Sequence, residues 1–257
     1  MFNLFRAELK RIWIEFIRYP LDQISKIVIM TIIFYGMFLS IHHIAGPNID
    51  VGHRLDAIIV SYVLWNLVTF VIQGIAFGIQ TEAQTGTLEQ LFLSPFGTLK
   101  VLLVRALVNL STYFTIIISI LLLTMFLTGR YLYLPPSIIL PLITVLLAAY
   151  GLGMVIAALT LLYKRVQQLV GLVQFGLLFL LSLPVETWSG PFHALKIMLP
   201  MVLGAGILRD VMARNLSLDF SLIFLAFING IVYLIIGSLV FRWSERKAKH
   251  QGILNGY

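Results

Sequence analysis

The sequence predicts an all-α membrane protein with six transmembrane helices, from its composition, its long uncharged stretches and the placement of its Lys and Arg residues. Hydrophobic residues make up 60% of the 257 residues and charged residues only 11%. Ordinary globular domains carry roughly 25% charged residues. So few charges cannot cover the surface of a water-soluble domain of this size, and we expect lipid to contact most of the surface.

Six long stretches contain no Asp, Glu, Lys or Arg. About 20 helical residues cross the hydrocarbon core of a bilayer, which is roughly 30 Å thick. One span is therefore predicted around each stretch, and residues 1–257 form a single transmembrane domain. The predicted spans are residues 22–44, 56–80, 100–127, 137–162, 167–184 and 219–241.

The orientation of these spans follows from the basic residues, because cytoplasmic loops carry an excess of Lys and Arg. With the N-terminus inside, 13 of the 18 Lys and Arg residues lie on the cytoplasmic side and 5 lie outside. Six spans return the C-terminus to the cytoplasm. The net charge of +7 is thus explained by topology and anionic head groups, and no nucleic-acid partner is predicted.

Residues 1–20 are predicted to form an amphipathic helix in the cytoplasmic membrane interface, in contact with membrane lipids. Apolar residues recur there at steps of three and four, the spacing of one helix face. Pro20 interrupts this helix. A water-soluble helix packed on a partner is the alternative. The apolar face comprises Phe2, Phe5, Leu9, Ile12 and Phe16.

Residues 185–216 are predicted to form short helices that re-enter the outer leaflet from outside. Their longest apolar stretch, residues 197–208, is too short to cross a bilayer. Prolines and a glycine interrupt the region repeatedly. An ordinary surface loop is the alternative. The interrupting residues are Pro184, Gly190, Pro191 and Pro200.

Motifs for catalysis and for nucleotide or metal binding are absent from the sequence. It contains no GxxxxGK[ST] phosphate loop, no HExxH and no GxSxG, and each of these motifs has a specific chemical role. We therefore expect no enzymatic activity and no cofactor or metal bound by this chain. The deeper polar residues are expected to hydrogen-bond between helices. They are Asn66, Gln73, Asn109, Gln174 and Asn229.

The loop between the second and third predicted spans, residues 82–98, has the pattern of a short helix over residues 87–94. Thr87 and Gln90 have the spacing of a capping box, and Glu89 places negative charge in the first turn. Leu88, Leu91 and Phe92 share one face, and Pro95 ends the helix. Such a helix either docks a partner or is a connector packed on the protein's own spans, and the pattern does not distinguish the two.

The string GTLEQLFLSP, with Glu82 four residues before Gly86, resembles the loop signature of ABC-2 type permeases, the membrane subunits of one class of ABC exporters. The six spans, the N-terminal amphipathic helix and the stretch from Leu199-Pro200 to Arg209 resemble the same family. Family members commonly have Glu-Arg-Glu where this chain has Glu82-Ala83-Gln84. Two charges of the pattern are therefore missing.

The resemblance implies a permease subunit in the cytoplasmic (inner) membrane of a bacterium. It would pair with a second permease, identical or different, and with two ATPase subunits that bind ATP and Mg²⁺. The complex would export a hydrophobic or amphipathic substrate such as a drug, a lipid or a lipid-linked glycan. The residues implied to contact the ATPase are Glu82, Gly86, Thr87, Leu88, Glu89, Leu91, Phe92 and Pro95.

Two other function classes stay open. One is an energy-independent channel or a secondary carrier, although ion-coupled carriers usually place ionisable residues at mid-membrane depth. The other is a membrane-embedded lipid or glycan enzyme.

The charge distribution makes a testable prediction about topology. Reporter domains fused after Gly97, Val166 and Tyr257 should be active in the cytoplasm. Reporters fused after residues 48, 133 and 189 should be active outside, and a cytoplasmic signal at residue 189 would contradict the re-entrant prediction.

Overall fold

The computed structural model describes residues 2–45, 52–163, 166–184 and 196–250, and all regular structure in these ranges is helical. A 3₁₀ turn at Pro136–Ile138 precedes α6. Besides a helical turn at residues 196–198, the α-helices of the described ranges are α1 Phe2–Arg18, α2 Pro20–Ala45, α3 Gly52–Gln84, α4 Leu88–Phe92, α5 Thr98–Thr128, α6 Ile139–Tyr163, α7 Gln167–Ser182, α8 Val202–Arg214 and α9 Phe220–His250.

Five helices among the described residues are long and apolar enough to cross a membrane, which confirms the helical prediction and is compatible with a multi-pass membrane protein. They contain five of the six predicted spans. The sixth, predicted at residues 167–184, corresponds to α7, whose 16 residues extend only about 24 Å at 1.5 Å per residue. α7 ends at Ser182 because Leu183 precedes a proline and has an extended backbone, as the proline ring requires. The count of six spans remains a prediction.

α6 packs most extensively on α9, and glycines bring the two backbones together. A Cβ at Gly237 would overlap the carbonyl of Gly151, and one at Gly230 would lie only 2.8 Å from the carbonyl oxygen of Thr144. Lipid is as apolar as the helix surfaces, so close packing of small residues supplies much of the attraction between membrane helices. These glycines therefore set the distance between α6 and α9.

α1, α4 and the C-terminal turns of α9 all lie at one end of the bundle, which we call the α4 end. The Thr98 hydroxyl at the start of α5 donates to Glu245 of α9 at 2.7 Å. Lys249 of α9 lies over the ring of Phe92, 5.0 Å from its centroid. α9 thus continues beyond the predicted span 219–241, with a buried stripe on one side. The stripe consists of Gly237, Phe241, Ser244 and Ala248.

At the opposite end, α8 is buried among the longer helices. Arg209 of α8 is only 3% exposed. Its guanidinium donates to the Ser61 hydroxyl at 3.1 Å, to the carbonyl of Leu181 in the last turn of α7 and to that of Leu183 just beyond it. Arg209 therefore satisfies helix-terminal carbonyls that have no partner within α7, and it joins α8, α7 and α3.

The backbone before α8, a helical turn at residues 196–198 followed by bends at 199–201, lies beside the middle of α9. The Asn229 amide donates to the carbonyl of Ile197 at 2.7 Å, and the Tyr233 hydroxyl donates to that of Met198 at 2.8 Å. These two side chains lie about 14 and 20 Å along α9 from its start. The carbonyls of so short a helical turn have no partner within it and at this depth need hydrogen bonds from the protein, and α9 supplies them. The rest of the predicted re-entrant region, residues 185–195, lies outside the described residues.

The close approach of α6 and α9 makes a testable prediction about stability. Gly237→Leu should destabilise the protein by about 3 kcal/mol or more, because the new side chain meets backbone atoms that cannot move aside. Thermal unfolding in detergent, followed by loss of the monodisperse size-exclusion peak, measures the effect.

Gly176→Leu on α7 is the matched control, because nothing lies within 4 Å of a Cβ at Gly176. Replacing a helical glycine by leucine favours helix formation, so the control should unfold no earlier than the wild type. Equal melting of the two variants would contradict the packing described for α6 and α9.

Candidate coupling site at the α4 end

A network of ion pairs joins three helices at the α4 end. The Nε of Arg105 on α5 donates to Glu8 of α1 at 2.8 Å, and its Nη1 donates to Glu82 of α3. The side chains of Glu8 and Glu82 are only 10% and 16% exposed. Arg11 of α1 also pairs with Glu8, at 3.2 Å. One guanidinium thus bridges two nearly buried carboxylates from different helices, and hydrogen bonds between charged groups are the strong ones.

The same carboxylate fixes the start of α4. The Thr87 hydroxyl donates to Glu82 and makes no capping bond to the backbone of α4. The predicted capping box between Thr87 and Gln90 is therefore wrong, because the ionised carboxylate is a better acceptor for the hydroxyl than a hydroxyl is for a backbone N–H. Thr87 instead ties α4 to the last turn of α3.

Two glycines shape the loop around α4. Gly86 has a φ of +71° and Gly97 a φ of +79°, values that glycine adopts without the steric cost that a Cβ brings. Gly86 lets the chain turn from α3 into α4, and Gly97 lets it turn into α5. Pro95, predicted to end the short helix, is exposed between them. α4 itself is shorter than the predicted 87–94 and covers Leu88–Phe92.

The apolar side chains of the loop divide between the protein's interior and its surface. Leu88 and Leu91 are 4% and 6% exposed and belong to the main hydrophobic core. Phe92 is half-buried below Lys249. The expectation that Leu88, Leu91 and Phe92 together face a partner is therefore corrected: Leu88 and Leu91 anchor α4 to its own chain. The reason is that α4 lies flat against α3 and α5 rather than projecting from them.

The surface that α4 leaves open comes from neighbouring positions. Leu93, directly after the helix, is 83% exposed, and Phe96 is 40% exposed. Glu89, predicted as the polar contact, is also exposed. We call Glu89, Leu93 and Phe96 the α4 surface. Sequence reasoning missed Leu93 because it assumed a longer helix with one continuous apolar face.

α1 has the amphipathic character predicted for it. Ile12 is buried and Phe16 half-buried, whereas Phe5 and Leu9 are 42% and 41% exposed. Ile12 and Glu8 thus face α5. Further large apolar residues of α1 are exposed, as Phe5 and Leu9 are. They include Trp13 and Ile17. Phe2 begins α1, but its side chain lies outside the described residues.

Ala83 stands at one of the two positions where the chain lacks a charge of the pattern that it resembles. Ala83 is 4% exposed and lies in the main core, where a long charged side chain has no room. The positive partner of Glu82 comes instead from Arg105 on α5. No short-range pattern could have identified this pair, although both residues were visible as charges near the ends of successive spans.

The ionisable residues do not form a metal site in the part of the chain that the structure describes. No group of three or more His, Asp or Glu side chains there could hold a metal ion. The charged side chains of the network pair with one another instead.

The network makes a testable prediction. Arg105→Met should destabilise the protein by about 1–3 kcal/mol, because two nearly buried carboxylates lose a hydrogen-bond partner. Adding Glu82→Gln should recover part of that loss. Lys26→Met removes the same charge from an exposed pair with Asp22 (side chains 42% and 61% exposed) and should cost less than about 1 kcal/mol. Thermal unfolding in detergent compares the stabilities of the variants. An equal loss of stability in Arg105→Met and Lys26→Met would show that the network does not stabilise the fold.

No protein-family model matches the chain, and no curated protein sequence matches it. The resemblance to ABC-2 type permeases therefore rests on the loop motif and on the predicted topology.

Proposed function

We propose that this chain is the membrane-spanning permease subunit of an ATP-driven exporter of the ABC-2 type. Two such permeases, identical or different, would form the transport pathway, and two ATPase subunits would bind at their α4 ends. The proposal places the α4 end in the cytoplasm of a bacterial cell, in keeping with the bias of Lys and Arg to that side. The cargo would be a hydrophobic or amphipathic molecule.

The observation that carries the proposal is the combination of anchoring and exposure at α4. The helix is held by buried Leu88 and Leu91 and, through Thr87, by Glu82. The α4 surface beside it leaves Leu93 83% exposed. Leu93 lies at the tip of a loop between two long helices, which would place it beyond the hydrocarbon core of the membrane. Its exposure to water there is unfavourable. A partner protein that covers the α4 surface would remove that cost.

The contacts of α4 also supply a path for mechanical coupling. A force on α4 acts on Glu82 through Thr87, and Glu82 and Glu8 share the guanidinium of Arg105. Movement of α4 would therefore reach α3, α5 and α1 together. α1, with apolar residues exposed along one side, would lie in the interface and slide along the membrane rather than leave it. Rigid-body motion of this kind is a common form of conformational switching.

The proposal makes a testable prediction at Leu93. Leu93→Ala should weaken binding of the ATPase by about one to two decades. Burying a leucine contributes about 1.5–3 kcal/mol, and about 1.4 kcal/mol corresponds to one decade in affinity. The measurement is the dissociation constant between this chain in lipid nanodiscs and the phosphate-loop ATPase that copurifies with it. ATP-driven transport by the reconstituted pair should fall in parallel.

Leu216→Ala is the control, because Leu216 is also exposed, at 54%, but lies between α8 and α9 at the opposite end. Its affinity for the ATPase should equal that of the wild type. Phe92→Ala should weaken binding as well. Wild-type affinity for the ATPase in both the Leu93 and the Phe92 variants would show that the loop only connects α3 and α5 and does not bind the ATPase. Hydrolysis of ATP by the purified chain alone, or proton-driven transport by it, would refute the exporter assignment.

A further inference from the structure

A cavity of about 470 Å³ lies inside this single chain, between α1, α2, α3 and α5. The Glu82–Arg105 pair lines its wall at the α4 end, and Tyr113 lines it deeper in the bundle. Tyr113 lies about 22 Å along α5 from its start at Thr98, at 1.5 Å per residue. The volume falls within the range of sites for small molecules, about 300–1,000 Å³.

Polar side chains without partners line the inner part of this cavity. Gln73 of α3, and Asn109 and Tyr113 of α5, form no side-chain hydrogen bond within the described part of the chain. The side-chain oxygen of Gln23 on α2 is buried and likewise lacks a described partner. The sequence predicted that Gln73 and Asn109 would bond between helices, and here they face the cavity instead. Their polar atoms are therefore available to hydrogen-bond an occupant of the cavity, and such bonds would offset the cost of removing the occupant's own polar groups from water.

The charges on the cavity wall indicate which kind of occupant fits. The cationic groups of the wall are already engaged: Arg105 with Glu8 and Glu82, Arg11 with Glu8, and Lys26 with Asp22. Among the charged wall residues, Glu15 alone makes no ion pair or hydrogen bond through its side chain to the described residues. The wall thus offers no unpaired cation to an anionic head group, and its one unpaired carboxylate, that of Glu15, is exposed rather than enclosed. The unused groups are amides and hydroxyls, which both donate and accept hydrogen bonds.

The remaining wall is apolar and aromatic. The rings of Phe70 and Tyr113 stack with centroids 5.8 Å apart, and Phe16, Phe77 and Ile116 also line the space. A polar molecule alone would leave these surfaces without apolar contacts. An occupant with both an uncharged polar head and an apolar chain satisfies the whole wall.

We infer that this cavity is a binding site for one amphipathic molecule with an uncharged, hydroxyl-bearing head group. Gln73, Asn109 and Tyr113 hold the head group, and the apolar chain contacts the aromatic wall. The site belongs to the helices of one chain and needs neither a second permease nor an ATPase. Its test is therefore independent of the proposed exporter function.

Two glycines on α3 make the site testable. A Cβ at Gly74 would clash with the Tyr113 hydroxyl, whereas nothing lies within 4 Å of a Cβ at Gly78, which lines the open cavity. Gly78→Leu therefore fills the cavity without displacing the wall. Gly176→Leu adds the same side chain to open space on α7 and is the matched control.

The experiment uses the full chain in phosphatidylcholine nanodiscs and three photoreactive probes with the same diazirine-bearing alkyl chain. Their head groups are the glycerol ester, the free carboxylate and trimethylammonium. The glycerol ester should label peptides spanning residues 70–78 and 109–116 at least tenfold more than the other two. Unlabelled monoacylglycerol should compete. Gly78→Leu should reduce this labelling at least tenfold, and Gly176→Leu should leave it unchanged.

A double variant, Gln73→Leu with Asn109→Leu, separates binding from structure. It should lose the labelling while melting no earlier than the wild type, because it removes polar groups that have no partner in the protein. Lower stability with labelling retained would assign the amides to helix packing and overturn the site. Equal labelling by all three probes, or stronger labelling by the carboxylate or trimethylammonium probe, would overturn the uncharged head group.

Discussion

The pairing of Arg105 with Glu8 and Glu82 is the interaction on which the α4 end depends. Each carboxylate comes from a different helix, and both are nearly buried. Removing charged groups from water is unfavourable. Their attraction offsets that cost only when the geometry is good and the remaining donors and acceptors also form hydrogen bonds. Arg105 meets this condition with two acceptors, and Glu82 meets it with a second donor in Thr87. The positions of α1, α3, α4 and α5 are therefore mutually dependent.

The rest of the bundle is held by a different kind of contact. α6 approaches α9 at glycines, and α8 is buried with Arg209 bonded to the end of α7. Apolar side chains gain little by leaving lipid for a neighbouring apolar helix, so close packing and satisfied polar groups must supply the stability. The cavity beside Gln73 and Asn109 departs from this rule, since its polar groups have no partners in the described protein. Such departures are where functional sites are expected.

The sequence predicted the long helices well because absence of charge over some 20 residues is a strong and local signal. It predicted the amphipathic α1 for the same reason, since the period of its apolar residues is local. The loop was predicted less well. Whether Leu88 and Leu91 face a partner or their own chain depends on how α4 lies against α3 and α5, and no pattern within the loop contains that information. The partner of Glu82 was equally hidden, because Arg105 belongs to the next span. The length of α7 was overestimated because the lack of charge continues beyond Ser182, although Pro184 restricts Leu183 and ends the helix.

The coupling site and the cavity share a wall. Glu82 and Arg105 belong to the network that fixes α4, and both also line the cavity. Any movement of α4 that shifts this pair changes the shape of the cavity, and any occupant that requires a particular position of the pair favours one position of α4. Thermodynamic linkage requires such effects to be reciprocal, so the proposed partner on the α4 surface and the proposed molecule in the cavity would change each other's affinity by the same factor. The proposed exporter would use this property at its α4 end, where a molecule in the cavity would alter the binding of the protein that supplies the energy. The contacts of Arg105 with Glu8 of α1 and Glu82 of α3, and of Glu82 with Thr87 before α4, provide a physical route for it.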